Sequence, residues 1–238
     1  MRGVAVNVAA NTNAPGFRGP IYADGSFEYV PIPESEPIRE GASVPTYADL
    51  DLGIDVEAVA DTPVHLDPTF AGVHGCRSYT YGDPHGVKAR PLSELEAGDY
   101  VFFYATLSRV DGDSAEWIAP EWGAYVVGHF RLAADPFEPT GGVPETERSR
   151  FAGNAHLKRD PFDARVLLEG DADGSALYDV ALPLSSPSAG ADPNRLVTEL
   201  SSDSGDGPWW RRPLRFDREG TETLIEIRKG GEPARAFE

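Results

Sequence analysis

A β-rich α+β domain with short helices and long loops is the fold class this sequence predicts, and three observations carry it. The 238 residues include 25 glycines and 21 prolines, so much of the backbone is committed to turns. Two uninterrupted runs of aromatic and β-branched residues, 100–107 (YVFFYATL) and 124–132 (AYVVGHFRL), lie close enough in the chain for antiparallel pairing. Helical patterns, by contrast, are few and brief. At 25.7 kDa and 40% hydrophobic residues the chain can bury a sizeable core. The Pro-, Gly- and Asp-rich stretches near 135–150 and 186–192 separate no distinct halves, so residues 1–238 read as one domain.

In chain order, residues 4–8 (VAVNV) predict a first, central strand, and 26–32 (SFEYVPI) alternate as a half-buried strand that Pro31 and Pro33 end. Asp24-Gly25 suits a tight turn before it. Residues 34–62 are acidic and broken by Pro and Gly, an excursion over the surface with at most one short helix near 47–52. Gly98-Asp99 introduces the strongest strand, 100–107, whose continuous apolarity indicates burial. A further buried piece at 166–168 precedes a turn at 171–174 and a helical turn at 175–179 capped by Ser175. A short helix follows Asp192-Pro193 over 193–200, and 224–227 alternate as a late strand.

The 39 acids outnumber the 21 bases, only three of which are lysine, for a formal charge of -18. Scattered carboxylates of this kind resemble the surfaces of cytosolic proteins from salt-loving organisms, and they oppose binding to phosphate backbones except at a local basic patch. Cys76 is the sole cysteine, which excludes an internal disulfide and a Cys-rich zinc site. The longest apolar runs fall far short of the roughly 20 residues a membrane span needs, and the N-terminus lacks a signal-peptide core. A cytoplasmic protein with no membrane partner is expected.

Three segments collect chemistry. The first holds Asn11, Arg18, Asp24, Ser26 and Glu28 among glycines that permit close approach of a ligand. Arg18 there could clamp a phosphate or carboxylate, or the segment is simply a turn satisfying its own backbone. The second, 65–90, carries His65, Asp67, His74, Cys76, Tyr81, Asp83 and His85. It suits an acid/base pair in which Asp67 or Asp83 orients His65. A metal reading would combine His65 and Asp67 with His74, Cys76 or His85, but no spacing is diagnostic of zinc, so neither metal ligand nor cofactor is assigned. The third includes Asn154 and His156 within a basic island. Farther on, Trp209, Arg211 and Arg212 belong to a run of arginines and flat rings of the sort that single-stranded or flipped nucleotides require, or that a core edge with salt bridges would show equally well.

Taken together, VNVAANTNAPGFRGPIYADGSFEYVPIPE, the block HLDP-TF with TYGD, LEAGDYVFFYATL, AYVVGHF, NAH and LLEGDADGSALYDVALPLS resemble the nucleotide-modification-associated domain of the third type, from about residue 3 to 186. GDYVFFYATL followed by VVG-x-F is also similar to PUA-like and EVE domains, small β-barrels that read modified bases. The resemblance implies a PUA-like mixed barrel or strongly curved sheet, and a mouth that takes a nucleotide or an extruded base. As an enzyme the protein would use His65 or His156 as general acid or base, Asp67 or Asp83 as orienting carboxylate and Arg18 as clamp. As a non-catalytic reader it would stack bases on Tyr81, Tyr104 and Trp209 and read an edge with Asn154. A structural partner of a modification system, binding other proteins through Trp117 and Trp122, is the third possibility.

Overall fold

Residues 100–109 are apolar at nearly every position because both faces of the strand they form are covered. Val101, Phe103, Ala105 and Leu107 enter one apolar cluster, while Phe102 and Tyr104 enter another on the opposite face. The structure, a computed structural model, describes all of residues 1–238. Its strands are β1 (Gly3–Asn7), β2 (Pro20–Ile21), β3 (Ile32–Pro33), β4 (Val64–His65), β5 (Thr80–Asp83), β6 (Tyr100–Arg109), β7 (Trp122–Arg131), β8 (Val166–Glu169), β9 (Ala176–Pro183), β10 (Ser185–Ser186), β11 (Ala189–Pro193) and β12 (Leu214–Phe216). The helices are α1 (Gly86–Ser93), α2 (Glu145–Arg148), α3 (Arg195–Thr198) and α4 (Arg218–Gly230).

The main sheet is mixed, in the order β12-β1-β6-β7-β9. β1 runs parallel to β6, and β2 takes its place beside β6 at Ser108 and Arg109, beyond the end of β1. β6 and β7 pair antiparallel from Tyr100↔Arg131 to Ser108↔Trp122, as their close spacing in the sequence predicts. The architecture is therefore mixed α/β, and the sheet stays open, with β12 and β9 as its edges. The barrel expected from the PUA-like resemblance does not form. A small barrel has one interior, whereas this sheet carries an apolar cluster on each face and is covered from both sides. No helix is long and apolar enough to cross a membrane.

Several elements depart from expectation for identifiable reasons. Residues 224–227 lie inside α4, not in a strand; Asp217 caps that helix by accepting from Gly220 N at 3.0 Å, and Gly231 ends it at φ 65°. Leu224, Ile225 and Ile227 form its buried stripe, a pattern that over four residues mimics alternation. Residues 176–179 begin β9 instead of a helical turn, since pairing with β7 recruits them. Of 26–32 only Ile32 is in a strand, with Phe27 bridging Ile21 across the Asp24-Gly25 turn. The helix expected over 193–200 is the shorter α3, capped by Asn194 while Pro193 closes β11.

Candidate functional site

Two short ladders away from the main sheet build the site. β3 and β4 pair Ile32 with His65, which sets the His65 ring beside Glu34 just past β3. β5 pairs with β8 and brings the Gly82 amide to Asp67, whose two oxygens accept it at 3.1 and 3.0 Å. A 3-10 turn at Ala155–Lys158, capped by the Asn154 side chain, delivers His156. Asn154 also donates Nδ2 to Asp67 Oδ1 at 2.8 Å, so one amide both caps the turn and aims the carboxylate.

At the centre, His65 Nδ1 lies 2.7 Å from Glu34 Oε2 and His156 Nδ1 lies 2.6 Å from Asp163 Oδ1. Carboxylates can only accept, so each imidazole offers the proton on its Nδ1 to a carboxylate and turns its Nε2 the other way. Both Nε2 atoms face Asp67 Oδ2, at 3.9 Å from His65 and 3.4 Å from His156. Arg159 stands behind the rings and ties their carboxylates together, reaching Glu34 Oε1 at 2.7 Å and Asp163 Oδ2 at 2.6 Å. Burial alone would raise the Glu34 carboxyl, but hydrogen bonds from His65 and Arg159 win and hold it at about 2. Burial likewise opposes charge on His156, yet Asp163 and Asp67 outweigh it and push the imidazole to about 9.

His65, Asp67, His156, Arg159 and Asp163 line a cavity of about 330 Å³ together with Tyr81, Asp83 and Lys88. Asp83 orients neither histidine: it accepts from Tyr81 Oη at 2.8 Å and His85 N at 2.7 Å and faces Lys88 Nζ at 4.0 Å. Desolvation lowers the Lys88 ammonium against the opposing pull of Asp83 and Asp67. His74 leaves the group, bonding the Tyr29 carbonyl at 2.7 Å. Arg18 sits in a neighbouring hollow of about 230 Å³ with Trp210 and Arg211; Asn7 and Asn11 line both spaces. Its guanidinium lies 4.6 Å over the Trp122 ring, Nε is buried without a partner, and no carboxylate pairs with it.

The remaining sequence candidates have structural work. Asp24 accepts from Ser26 N and Oγ within its own turn. Glu28 accepts from Tyr22 Oη and from Gly53 N, pinning the 34–62 excursion. Trp209 is fully buried, with Nε1 on the Ala191 carbonyl, and Tyr104 is buried with its hydroxyl on the Arg212 carbonyl, so neither ring offers a face to a base. Arg212 pairs with Asp203 at 2.7 Å. Trp117 and Trp122 are half-buried, against Tyr125 and Trp210 respectively, and make no exposed aromatic face.

A family model described as nucleotide modification associated domain 3 matches residues 2–226. The chain belongs to this family. No curated protein and no solved structure matched it. In this nucleotide modification associated domain the ladders, the capped turn and the convergent trio all fall inside the matched range.

Sequence reasoning missed Glu34, Lys88, Arg159 and Asp163 as members of the site. Glu34 reads as the start of a surface excursion and Arg159 as part of a solvated basic island. The available signal was the run Asn154, His156, Arg159, Asp163, four polar side chains in ten positions flanking a short turn.

Proposed function

We propose that this nucleotide modification associated domain takes a nucleotide, or a base turned out of a strand, into the 330 Å³ cavity and acts on it there within a modification system. The observation that carries the reading is the convergence of His65 Nε2, His156 Nε2 and Asp67 Oδ2 in the wall of one cavity, at the small end of the ligand-pocket range of about 300–1,000 Å³. Reactive atoms oriented by buried partners are the signature of a centre that does chemistry. In a chain of charge -18, the adjoining hollow with its unpaired Arg18 and Arg211 supplies the local positive ground that a phosphate needs. The substrate's phosphate would rest there and its base would reach past Asn7 and Asn11 toward the trio. All three stacking rings of the reader alternative are buried, Tyr104 and Trp209 at 0% and Tyr81 at 3% exposed.

The test has two parts. Mass spectrometry of digested DNA and RNA, with and without the gene, should reveal a changed nucleoside; identical profiles count against chemistry on bases. Titration with nucleoside monophosphates should show binding that Arg18→Ala weakens about tenfold, while the weaker binding of the parent nucleosides is unaffected. Equal losses for both would remove Arg18 from the phosphate role.

A further inference from the structure

We propose that His65 Nε2, His156 Nε2 and the Asp67 carboxylate hold a divalent transition-metal ion in the cavity. Each imidazole has its Nδ1 on a carboxylate, His65 on Glu34 and His156 on Asp163, so in the neutral form two Nε2 lone pairs and one anionic oxygen face each other. The three donor atoms lie within 4.8 Å of one another. The contacts of 3.4 and 3.9 Å are long for hydrogen bonds. They match a shared cation: two ligands each about 2.1 Å from a tetrahedral ion stand about 3.4 Å apart. The rings meet nearly edge to face, with planes at 83° and centroids 4.8 Å apart, so that both Nε2 atoms can address one point.

The surroundings are those of a metal ligand set. Asp67 is fixed by the Gly82 amide and Asn154, and both histidines have a carboxylate on the far nitrogen, the arrangement that sets tautomer and raises ligand basicity. Glu34, Asp67 and Asp163 against Arg159 leave two negative charges around the imidazoles, and a divalent ion that displaces the Nε2 proton of His156 balances them. Two nitrogens and one oxygen favour Zn²⁺, Fe²⁺ or Co²⁺ over Mg²⁺ or Ca²⁺, and three protein ligands leave a coordination position free for water or substrate.

The inference rests on the trio alone and not on the nucleotide reading, so it is tested with metal only. Chelator-treated full-length protein is titrated with Co²⁺, Zn²⁺ and Mg²⁺. One Co²⁺ per chain should bind with visible absorption, yield to Zn²⁺ and ignore Mg²⁺. Histidine side-chain ¹⁵N spectra of the unmutated protein should then shift at His65 and His156 and not at His74, His85 or His129. Asp67→Asn should cost at least tenfold in Co²⁺ affinity, and Asp163→Asn roughly 10- to 100-fold, with unchanged circular dichroism. Absence of stoichiometric Co²⁺ or Zn²⁺ binding, shifts at other histidines, or a proton retained on His156 Nε2 beside one equivalent of Zn²⁺ would each overturn it.

Discussion

A methyl group at position 82 would have nowhere to go: a Cβ built there meets His156 Cδ2 at 2.6 Å and Leu167 Cδ2 at 3.1 Å. The glycine is needed for closeness, because its amide must reach Asp67 while the imidazole passes over it. Gly82→Ala should therefore lower stability by about 1–3 kcal/mol through overpacking. The nucleotide binding proposed for the cavity should fall much further, because His156 is displaced. Calorimetric binding set beside a urea midpoint separates the two effects, and unchanged affinity would show that the ring tolerates the shift. His129 presents the opposite case, a buried ring outside the cavity. Burial, reinforced by Arg228, lowers it to about 4, and its Nδ1 has no partner. Its neutral form is the folded form, so its contribution is complete above the unfolded value of about 6.5 and is lost as pH falls through about 4, at most about 3 kcal/mol. His129→Phe, which keeps a ring beside Tyr100 and Phe102, should flatten the stability curve between those pH values in urea titrations. An identical acid limb in both proteins would show that the ring takes up its proton without unfolding cost.

Among the elements, α4 owes its place to one face. Leu224 is 1% exposed in the cluster beneath the sheet, while its neighbour Glu226 is exposed. Leu224→Ala should cost about 2–5 kcal/mol and Glu226→Ala within about 0.5 kcal/mol, read as shifts of the chemical denaturation midpoint. Comparable costs would mean that the helix is held by its Asp217 cap and not by packing. This helix also marks where local reading gave out. The central strands were plain in the sequence because a run buried on both faces is apolar throughout, and their antiparallel pairing followed from the short connection. The four positions Leu224–Ile227 fit two periods equally, and Ser175 preceded a segment whose fate was decided by its partner β7. Short elements of this kind take their form from tertiary contacts that no window of a few residues contains.

For the molecule as a whole, the same contrast separates the parts of the site that were legible from those that were not. His65, Asp67, Asp83, Asn154 and His156 announced themselves as chemistry-bearing types in dense polar stretches, and all five reach the one cavity or its wall. Glu34 and Asp163 did not, because an acid in a chain of charge -18 looks like solvated surface until a histidine is found against it. The continuous apolar run that argued for β6 also carried the resemblance to a barrel, yet the strand it forms is buried on both faces inside an open, covered sheet. The centre spans residues 34 to 163, joined across 125 positions by Arg159 and Glu34. During synthesis, then, a ribosome must release the turn at 155–158 and Asp163 before Asp67 meets His156 or Glu34 meets Arg159 from the far segment. A fragment ending short of that point, about two thirds of the way along, keeps β1 to β7 but loses both edges of the main sheet, the β8 partner of β5 and the second half of the trio's surroundings.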